Sequence, residues 1–119
     1  MNTDVKEIMI NGVEYVQKGA EVSQPSGDYV IVRGDRSGVF FGQLEKREGR
    51  EVTLRNVRRI WYWEGAASIS QLAKEGVSKP ENCKFPVAVY EIIVLDAIEI
   101  IPCTNKAVES LLGVKEWSE

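Results

Sequence analysis

The residue types best suited to binding chemistry are concentrated in one run, Arg55 to Trp63, which combines arginines with large aromatic side chains. One guanidinium group can donate two parallel hydrogen bonds to the oxygens of a phosphate, and indole faces stack on purine rings. The run therefore predicts a site for a nucleotide-like anion. The candidate ligand-binding residues within it are Arg58, Arg59, Trp61, Tyr62 and Trp63.

The charge around this run differs from that of the whole chain. Six basic and two acidic residues lie between Lys46 and Arg59, a local charge of +4, whereas the chain of 119 residues carries −3. A packing interpretation also remains open, since Trp61 and Trp63 would serve equally well as core residues with Arg59 stacked on them.

The same run is predicted to belong to a long strand, Glu51 to Trp63, that carries a bulge. Val52 and Leu54 share one face of a regular strand, but Val57 falls on the other. A β-bulge near Asn56 and Val57 restores the register. It would place Val57, Arg59, Trp61 and Trp63 on one face and Arg58, Ile60 and Tyr62 on the opposite one.

A glycine-containing turn, Arg33 to Gly38, is the second candidate for anion binding. Two glycines and two arginines in a tight turn favour exposed backbone amides of the kind that form anion nests. Arg33 and Arg36 are therefore candidate ligand-binding residues. The turn lacks the Lys-Ser/Thr end of a phosphate loop, and a plain hairpin turn is the alternative interpretation.

Two further features give weaker indications of a functional site. Glu64 to Ser68 leads into a helix N-terminus whose free amides could receive a phosphate, which makes Ser68 a candidate, although a capping box already uses some of those amides. Asp96 and Glu99 lie three residues apart in an apolar strand, so they fall on opposite faces. Register control or a subunit interface explains them better than catalysis.

The composition argues against several function classes. Histidine is absent and only two cysteines are present, which argues against a catalytic triad and a single-chain zinc site. We therefore predict a non-enzyme without catalytic residues, metal or cofactor, although an enzyme using carboxylates, Lys or Tyr remains open. The acidic net charge argues against nucleic acid as partner. We expect Cys83 and Cys103 to be reduced thiols, with a single disulfide as the alternative.

No stretch predicts a membrane span or a secretory signal. The longest apolar candidate, Ile92 to Pro102, is interrupted by Asp96 and Glu99. Asp4 and Glu7 occupy positions where a secretory signal would be apolar. The expected location is therefore the cytosol.

Periodicity predicts an α+β fold in a single domain over residues 1–119. Asn11 and Gly12 favour a hairpin over Lys6 to Gln17. Ser68 and Thr104 are expected to cap two helices that end at Gly76 and Gly113, the second with an apolar face that includes Leu112. The other strands are predicted at Tyr29 to Val32, Val39 to Lys46, Phe85 to Val89 and Glu91 to Ile101, with Pro102 ending the sheet. The predicted architecture is a mainly antiparallel sheet or small barrel with a mid-chain and a C-terminal helix.

Several segments resemble a family of small phage and prophage proteins. They are Tyr29 to Arg33, Ser37 to Gly42, Arg58 to Ala73 and Glu99 to Pro102, and the resemblance spans roughly Asp28 to Ala107. The stretch from Arg58 to Ala73 is fairly specific to that family, which is one of mostly unknown function.

The chain also resembles the phage Thoeris anti-defence sponge proteins, which bind cyclic ADP-ribose-type immune signals without degrading them. This resemblance implies a cytosolic protein that sequesters a cyclic ADP-ribose isomer or a cyclic oligonucleotide. It also implies a homo-oligomer, a dimer or an assembly as large as a hexamer. The alternative hypothesis is a phage accessory module that inhibits a host protein by direct interaction.

Overall fold

The computed structural model describes residues 28–118, so the hairpin predicted over Lys6 to Gln17 lies outside the described residues. These residues form an antiparallel sheet of five strands and two α-helices, which confirms the α+β class. The strands are β1 (Tyr29–Gly34), β2 (Val39–Glu48), β3 (Glu51–Arg59), β4 (Val89–Val94) and β5 (Ala97–Pro102). The helices are α1 (Ile69–Glu75) and α2 (Asn105–Leu112), and a short 3-10 helix spans Pro80–Asn82.

The first three strands form a meander, and the predicted bulge lies in β3. Asn56 has a φ of 48°, and the pairing of β2 with β3 shifts by one residue between Arg55 and Arg58. An extra residue in one strand reverses the faces of those that follow. Leu54 and Val57 therefore both reach the same core despite their odd spacing.

The sheet order is β4-β3-β2-β1-β5, so β4 and β5 lie at opposite edges although they are joined by only two residues. Leu95 and Asp96 alone connect Val94 of β4 to Ala97 of β5, a link that spans roughly 11 Å at most. The edges of a flat five-stranded sheet are about 19 Å apart. The sheet must therefore curl until its edges approach at this corner, without the edges pairing into a closed barrel in the described residues.

Each face of the sheet supports its own core. One cluster lies inside the curl and includes residues from both edge strands, such as Val94 and Ala97, together with Val32 and Leu54. The other cluster packs Ile31 and Phe41 against the helices and the chain after β5. The alternation along β1 shows this directly, since its consecutive residues enter different clusters.

The helices begin and end at the predicted signals. Ser68 Oγ accepts from Gln71 N at 3.2 Å, as predicted, while Gln71 Oε1 reaches back to Ala67 N at 2.7 Å, one residue before the N-cap position that a capping box uses. Thr104 Oγ1 accepts from Ala107 N at 3.1 Å at the start of α2. The prediction that Leu112 packs inward is wrong, because its side chain is half exposed.

Three predicted strand boundaries are wrong. β3 ends at Arg59 instead of Trp63, and the chain from Phe85 to Val89 forms a bridge at Phe85 before β4 begins. The strand predicted over Glu91 to Ile101 is split by the turn at Leu95 and Asp96. Neither helix within residues 28–118 has the length and apolarity to cross a membrane.

Candidate functional site

Arg58 lies inside the protein, with only 7% of the residue exposed. Its Nη1 donates to Leu111 O at 3.1 Å and Val114 O at 2.7 Å, and Nη2 donates to Phe85 O at 3.4 Å. The guanidinium carbon lies 5.0 Å from the centre of the Phe85 ring, and burial lowers the Arg58 pKa. The prediction that Arg58 faces a ligand is therefore wrong, because its donors bind two carbonyls at the end of α2 and the carbonyl of Phe85.

Arg59 connects the two segments that the sequence singled out. Its Nη1 donates to Ser37 O at 2.6 Å, and its guanidinium carbon lies 4.6 Å from the centre of the Phe40 ring. Arg59 and Arg58 point to opposite sides of β3, because consecutive residues of a strand alternate between its two faces. The turn over residues 34–38 and the run after Asn56 therefore meet at one end of the sheet.

The turn over residues 34–38 does form an anion nest, but an internal carboxylate fills it. Asp96 Oδ2 accepts from Arg36 N at 2.8 Å and Ser37 N at 3.2 Å, while Oδ1 accepts from the Ser37 hydroxyl. These bonds, with the Ser37 hydroxyl contributing most, lower the pKa of Asp96. Asp96 thus fixes this turn, and the turn's amides are not available to a ligand.

This arrangement predicts a pH-dependent contribution to stability. Because the folded-state pKa of Asp96 is depressed, its contribution is present above the unfolded pKa of about 3.9 and is lost as pH falls through the folded value. Asp96→Asn is expected to lower Tm at pH 7, with the difference from wild type shrinking below about pH 4. Thermal unfolding across pH measures this, with exposed Glu109→Gln as control. A pH-independent difference would contradict the prediction.

The aromatic residues of the run divide between surface and core. Trp61 is 66% exposed, and Tyr62 lies beside it with its hydroxyl donating to Glu64 Oε2 at 2.7 Å. Trp63 instead packs against the helix-facing core, and its Nε1 donates to Ala66 O at 3.2 Å. The prediction that Trp63 shares a face with Val57 is wrong, because β3 has ended before it.

An aromatic patch surrounds Lys84 at this end of the molecule, and we define it as Trp61, Tyr62, Lys84 and Trp117. The Lys84 Nζ lies 5.9 Å from the centre of the Tyr62 ring and 5.5 Å from that of Trp117. The backbone amides of Trp61 and Tyr62 both donate to Lys84 O. The patch therefore presents two exposed aromatic side chains, those of Trp61 and Tyr62, and a cation beside the partly buried Trp117.

The remaining candidates lie apart from this patch. Arg33 is an exposed side chain whose Nη1 is 4.0 Å from Glu99 Oε1 across the β1–β5 pair. Arg36 is exposed, and only its backbone amide contacts Asp96. Ser68 caps α1, so its hydroxyl is engaged in the helix N-terminus. The structure therefore does not bring the eight sequence-predicted residues into one site.

A cleft that the sequence did not predict lies between β5 and the β2–β3 hairpin. It has a volume of about 470 Å³ and is lined by residues 97–100 together with Arg47, Gly49 and Arg50. We call it the β5 cleft. Arg47 Nε donates to Gly49 O at 2.8 Å, and Arg50 Nη2 lies 4.0 Å from Asp35 Oδ2. Both guanidinium groups thus retain donors for another acceptor.

The edge of β5 that faces away from β1 adds a backbone donor to this cleft. Cys103 N donates to Tyr29 O at 3.0 Å, so these residues form a hydrogen-bonded pair. Bonded and non-bonded pairs alternate in an antiparallel ladder. Ile100, opposite Val32, is therefore a non-bonded position whose N–H points away from β1. Pro102 occupies the equivalent position, where the ladder needs no N–H donor.

The sequence contains a signal for one wall of the β5 cleft, the local excess of positive charge. Arg47 and Arg50 belong to the stretch of +4 local charge, but the aromatic residues that follow Arg59 favour a site at Arg59 instead. Nothing local to the sequence indicates that residues 97–100 lie against this hairpin, because that contact depends on the curl of the sheet. The signal was therefore present for the arginines and absent for the opposite wall.

The described residues show the state of two kinds of reactive group, metal ligands and thiols. Within residues 28–118, no group of three or more His, Cys, Asp or Glu side chains is placed to hold a metal ion. Cys83 and Cys103 are free and buried, and burial raises the pKa of Cys103 to about 12. A thiol with so high a pKa is a weak nucleophile at neutral pH.

Fold and site together define a small α+β protein with a curled antiparallel sheet and an arginine-lined cleft at its open edge. The chain belongs to the family described as a domain of unknown function, DUF6948, whose model matches residues 27–111. No curated protein matches the chain significantly, and no solved structure does. The family match covers all five strands and nearly all of α2.

Proposed function

We propose that the protein binds and sequesters a nucleotide-derived signal without turning it over, and that the β5 cleft holds the phosphate groups of the ligand. The observation that carries this proposal is the pair of arginines on the wall of a 470 Å³ cleft. Pockets of about 300–1,000 Å³ are typical of small-molecule sites. Forked guanidinium groups match the oxygens of a phosphate.

The two arginines differ in what already holds them. Arg50 has one carboxylate near it, at the long distance of 4.0 Å from Asp35, and its Nε is 3.4 Å from Ala97 O. Arg47 is held through Nε by a carbonyl of its own turn. A phosphate oxygen therefore offers both side chains a stronger acceptor, and the Ile100 amide points to the same space.

The other residues of the cleft suit the rest of a nucleotide. Ile98 and Ile100 supply an apolar wall on which a ribose or base can pack. The one carboxylate of the lining, Glu99, faces Arg33. Sequestration requires tight binding alone, so neither a nucleophile nor a general base is needed. The family resemblance supplies the ligand class, a cyclic ADP-ribose isomer or a cyclic oligonucleotide, and the setting of a phage protein in the host cytosol.

Calorimetric titration with cyclic ADP-ribose tests the site. We expect Arg47→Ala and Arg50→Ala each to weaken binding about 10-fold and the double variant about 100-fold, because each removes a charge-assisted contact. Arg36→Ala is the matched control, an exposed arginine on the neighbouring turn. Cyclic ADP-ribose and a cyclic dinucleotide are titrated separately, and absence of heat with both would contradict the proposal.

Two further outcomes of this experiment are informative. Loss of binding in Arg59→Ala and Trp61→Ala, with binding kept in the Arg47 and Arg50 variants, would show that the ligand binds at the run Arg55 to Trp63 and not in the β5 cleft. Chromatography of the recovered ligand separates sequestration from catalysis, since a sponge releases its ligand intact and an enzyme releases a product.

A second candidate function is a protein-interaction module that inhibits a host protein. The aromatic patch favours it, because exposed Trp and Tyr side chains are enriched at the centres of protein interfaces. Trp61 in particular has two thirds of its surface open. Under this alternative, Trp61→Ala abolishes partner binding while the double Arg47 and Arg50 variant retains it.

A further inference from the structure

The two edges of the sheet differ in how they are protected against pairing with another strand. β5 ends in Pro102, carries Glu99, and shows a register shift where it meets Arg33 and Gly34. Proline, charge and a bulge are the devices by which proteins block an edge. The β2–β3 hairpin also lies beside it across the β5 cleft.

β4 has few of these devices. It contains no proline, lysine or arginine, and its own backbone pairs with β3 through an unbroken register from Glu91 to Val94. Five of the nine large hydrophobic residues that are exposed in residues 28–118 lie on or beside it. They are Val87, Val89, Tyr90, Ile93 and Leu95. An apolar edge strand of this kind is prone to pair with another strand.

The charges on β4 are arranged in a way that allows the strand to face a copy of itself. Glu91 is its one charged residue, and Arg55 Nε lies 3.2 Å from Glu91 Oε2. Arg55 Nη1 also donates to the Tyr90 hydroxyl at 2.9 Å. The carboxylate in the middle of the strand is thus already neutralised by the neighbouring strand.

We propose that β4 pairs antiparallel with β4 of a second copy, so that the two sheets become one continuous sheet of ten strands. A two-fold axis at Glu91 sets Val89 opposite Ile93 of the other copy, which matches apolar side chains on one face. The two Glu91 carboxylates then meet between two Arg55 guanidinium groups. An axis at Ile92 would instead oppose Glu91 to Ile93, which leaves a carboxylate against an apolar side chain.

This pairing is independent of the proposed ligand site. The β5 cleft is lined by residues of β5 and of the β2–β3 hairpin and by none of β4, so substitutions in β4 leave the lining residues of the cleft unchanged. Loss of dimerisation and loss of ligand binding are therefore separate outcomes, produced by different variants.

Sedimentation velocity of the full chain at micromolar concentrations tests the interface. Wild type is expected to be a dimer, and Ile93→Lys is expected to raise the dimer dissociation constant about 100-fold or more, because one lysine enters each of the two Val89–Ile93 contacts. Ile98→Lys is the matched control: Ile98 is 45% exposed on β5, and Ile93 is 50% exposed on β4. Circular dichroism confirms that both variants fold.

A cross-link keeps the proposal testable without relying on a destabilising substitution. Glu91→Cys places a thiol on the proposed axis and should give a disulfide-linked dimer under mild oxidation, whereas exposed Glu81→Cys should not. Cys83 and Cys103 are buried and do not compete. A monomeric wild type overturns the proposal and points to another occupant of β4, residues 1–27 or a different protein. Dissociation by Ile98→Lys alone, or cross-linking only at position 81, also overturns it.

Discussion

Arg58→Ala is expected to lower the free energy of unfolding by about 3 kcal/mol. The substitution removes a buried cation that donates to the carbonyl oxygens of Phe85, Leu111 and Val114. Phe85 O keeps the amide of Trp117 and Leu111 O keeps that of Val114, so Val114 O is the acceptor that loses its donor. A hydrogen bond to a charged group contributes about 1.5–3 kcal/mol, and an unsatisfied buried acceptor adds a penalty. The favourable contact between the cation and the C-terminal end of α2 is lost as well.

Urea denaturation followed by circular dichroism measures this loss. Arg58→Lys should recover only part of it, because a single ammonium group cannot reproduce the planar fork that reaches carbonyls on two segments. Arg36→Ala, which removes an exposed guanidinium, should change the stability by less than about 0.5 kcal/mol. Equal losses in the Arg58 and Arg36 variants would show that Arg58 has no such structural role.

The position of Arg58 shows what a local pattern cannot reveal. The sequence correctly predicted the bulge, which decides the face that each following residue takes, and strand alternation placed Arg58 and Arg59 on opposite faces. It could not reveal what covers the Arg58 side, because the acceptors come from residues 27 to 56 positions further along the chain. An arginine in a basic stretch has the same appearance whether it binds a phosphate or a helix terminus.

Elements with local signals were predicted well, and elements that depend on topology were not. Ser68 and Thr104 hydrogen-bond within their own helices, so a few neighbouring residues are enough to predict the caps. The turn at Leu95 and Asp96 contains neither glycine nor proline, and it was predicted as strand. Its stability comes from Asp96, whose carboxylate binds a turn about 60 positions earlier.

The β5 cleft likewise depends on topology more than on local sequence. Arg47 and Arg50 lie on one hairpin, and residues 97–100 form the opposite wall, so the β5 cleft exists only because the sheet curls. The curl in turn follows from the two-residue connection between β4 and β5. A prediction from the sequence that does not place this connection therefore also fails to predict the cleft, even though it identifies the excess of positive charge correctly.

Gly65→Ala is expected to cost about 3 kcal/mol of unfolding free energy, for two separable reasons. The φ of Gly65 is +93°, a conformation that a side chain strains. A Cβ at this position would also lie 2.5 Å from Ser78 N and 2.6 Å from Lys79 N, which are backbone atoms. Ser78 N donates to Gly65 O at 3.2 Å, so the two segments cannot separate without losing that bond.

Gly49→Ala isolates the first of these reasons. Gly49 has a φ of +61°, but a Cβ there would meet no atom within 4 Å. It should therefore lose only the conformational term, about 1 kcal/mol, in the same urea titration. The excess loss at Gly65 then combines the close approach between the loops on either side of α1 with the greater strain of a φ of +93°, which lies outside the left-handed region that Gly49 occupies. If the two alanine variants lose the same free energy, the packing of Gly65 against Ser78 and Lys79 does not constrain the fold, and the backbone conformation alone requires glycine there.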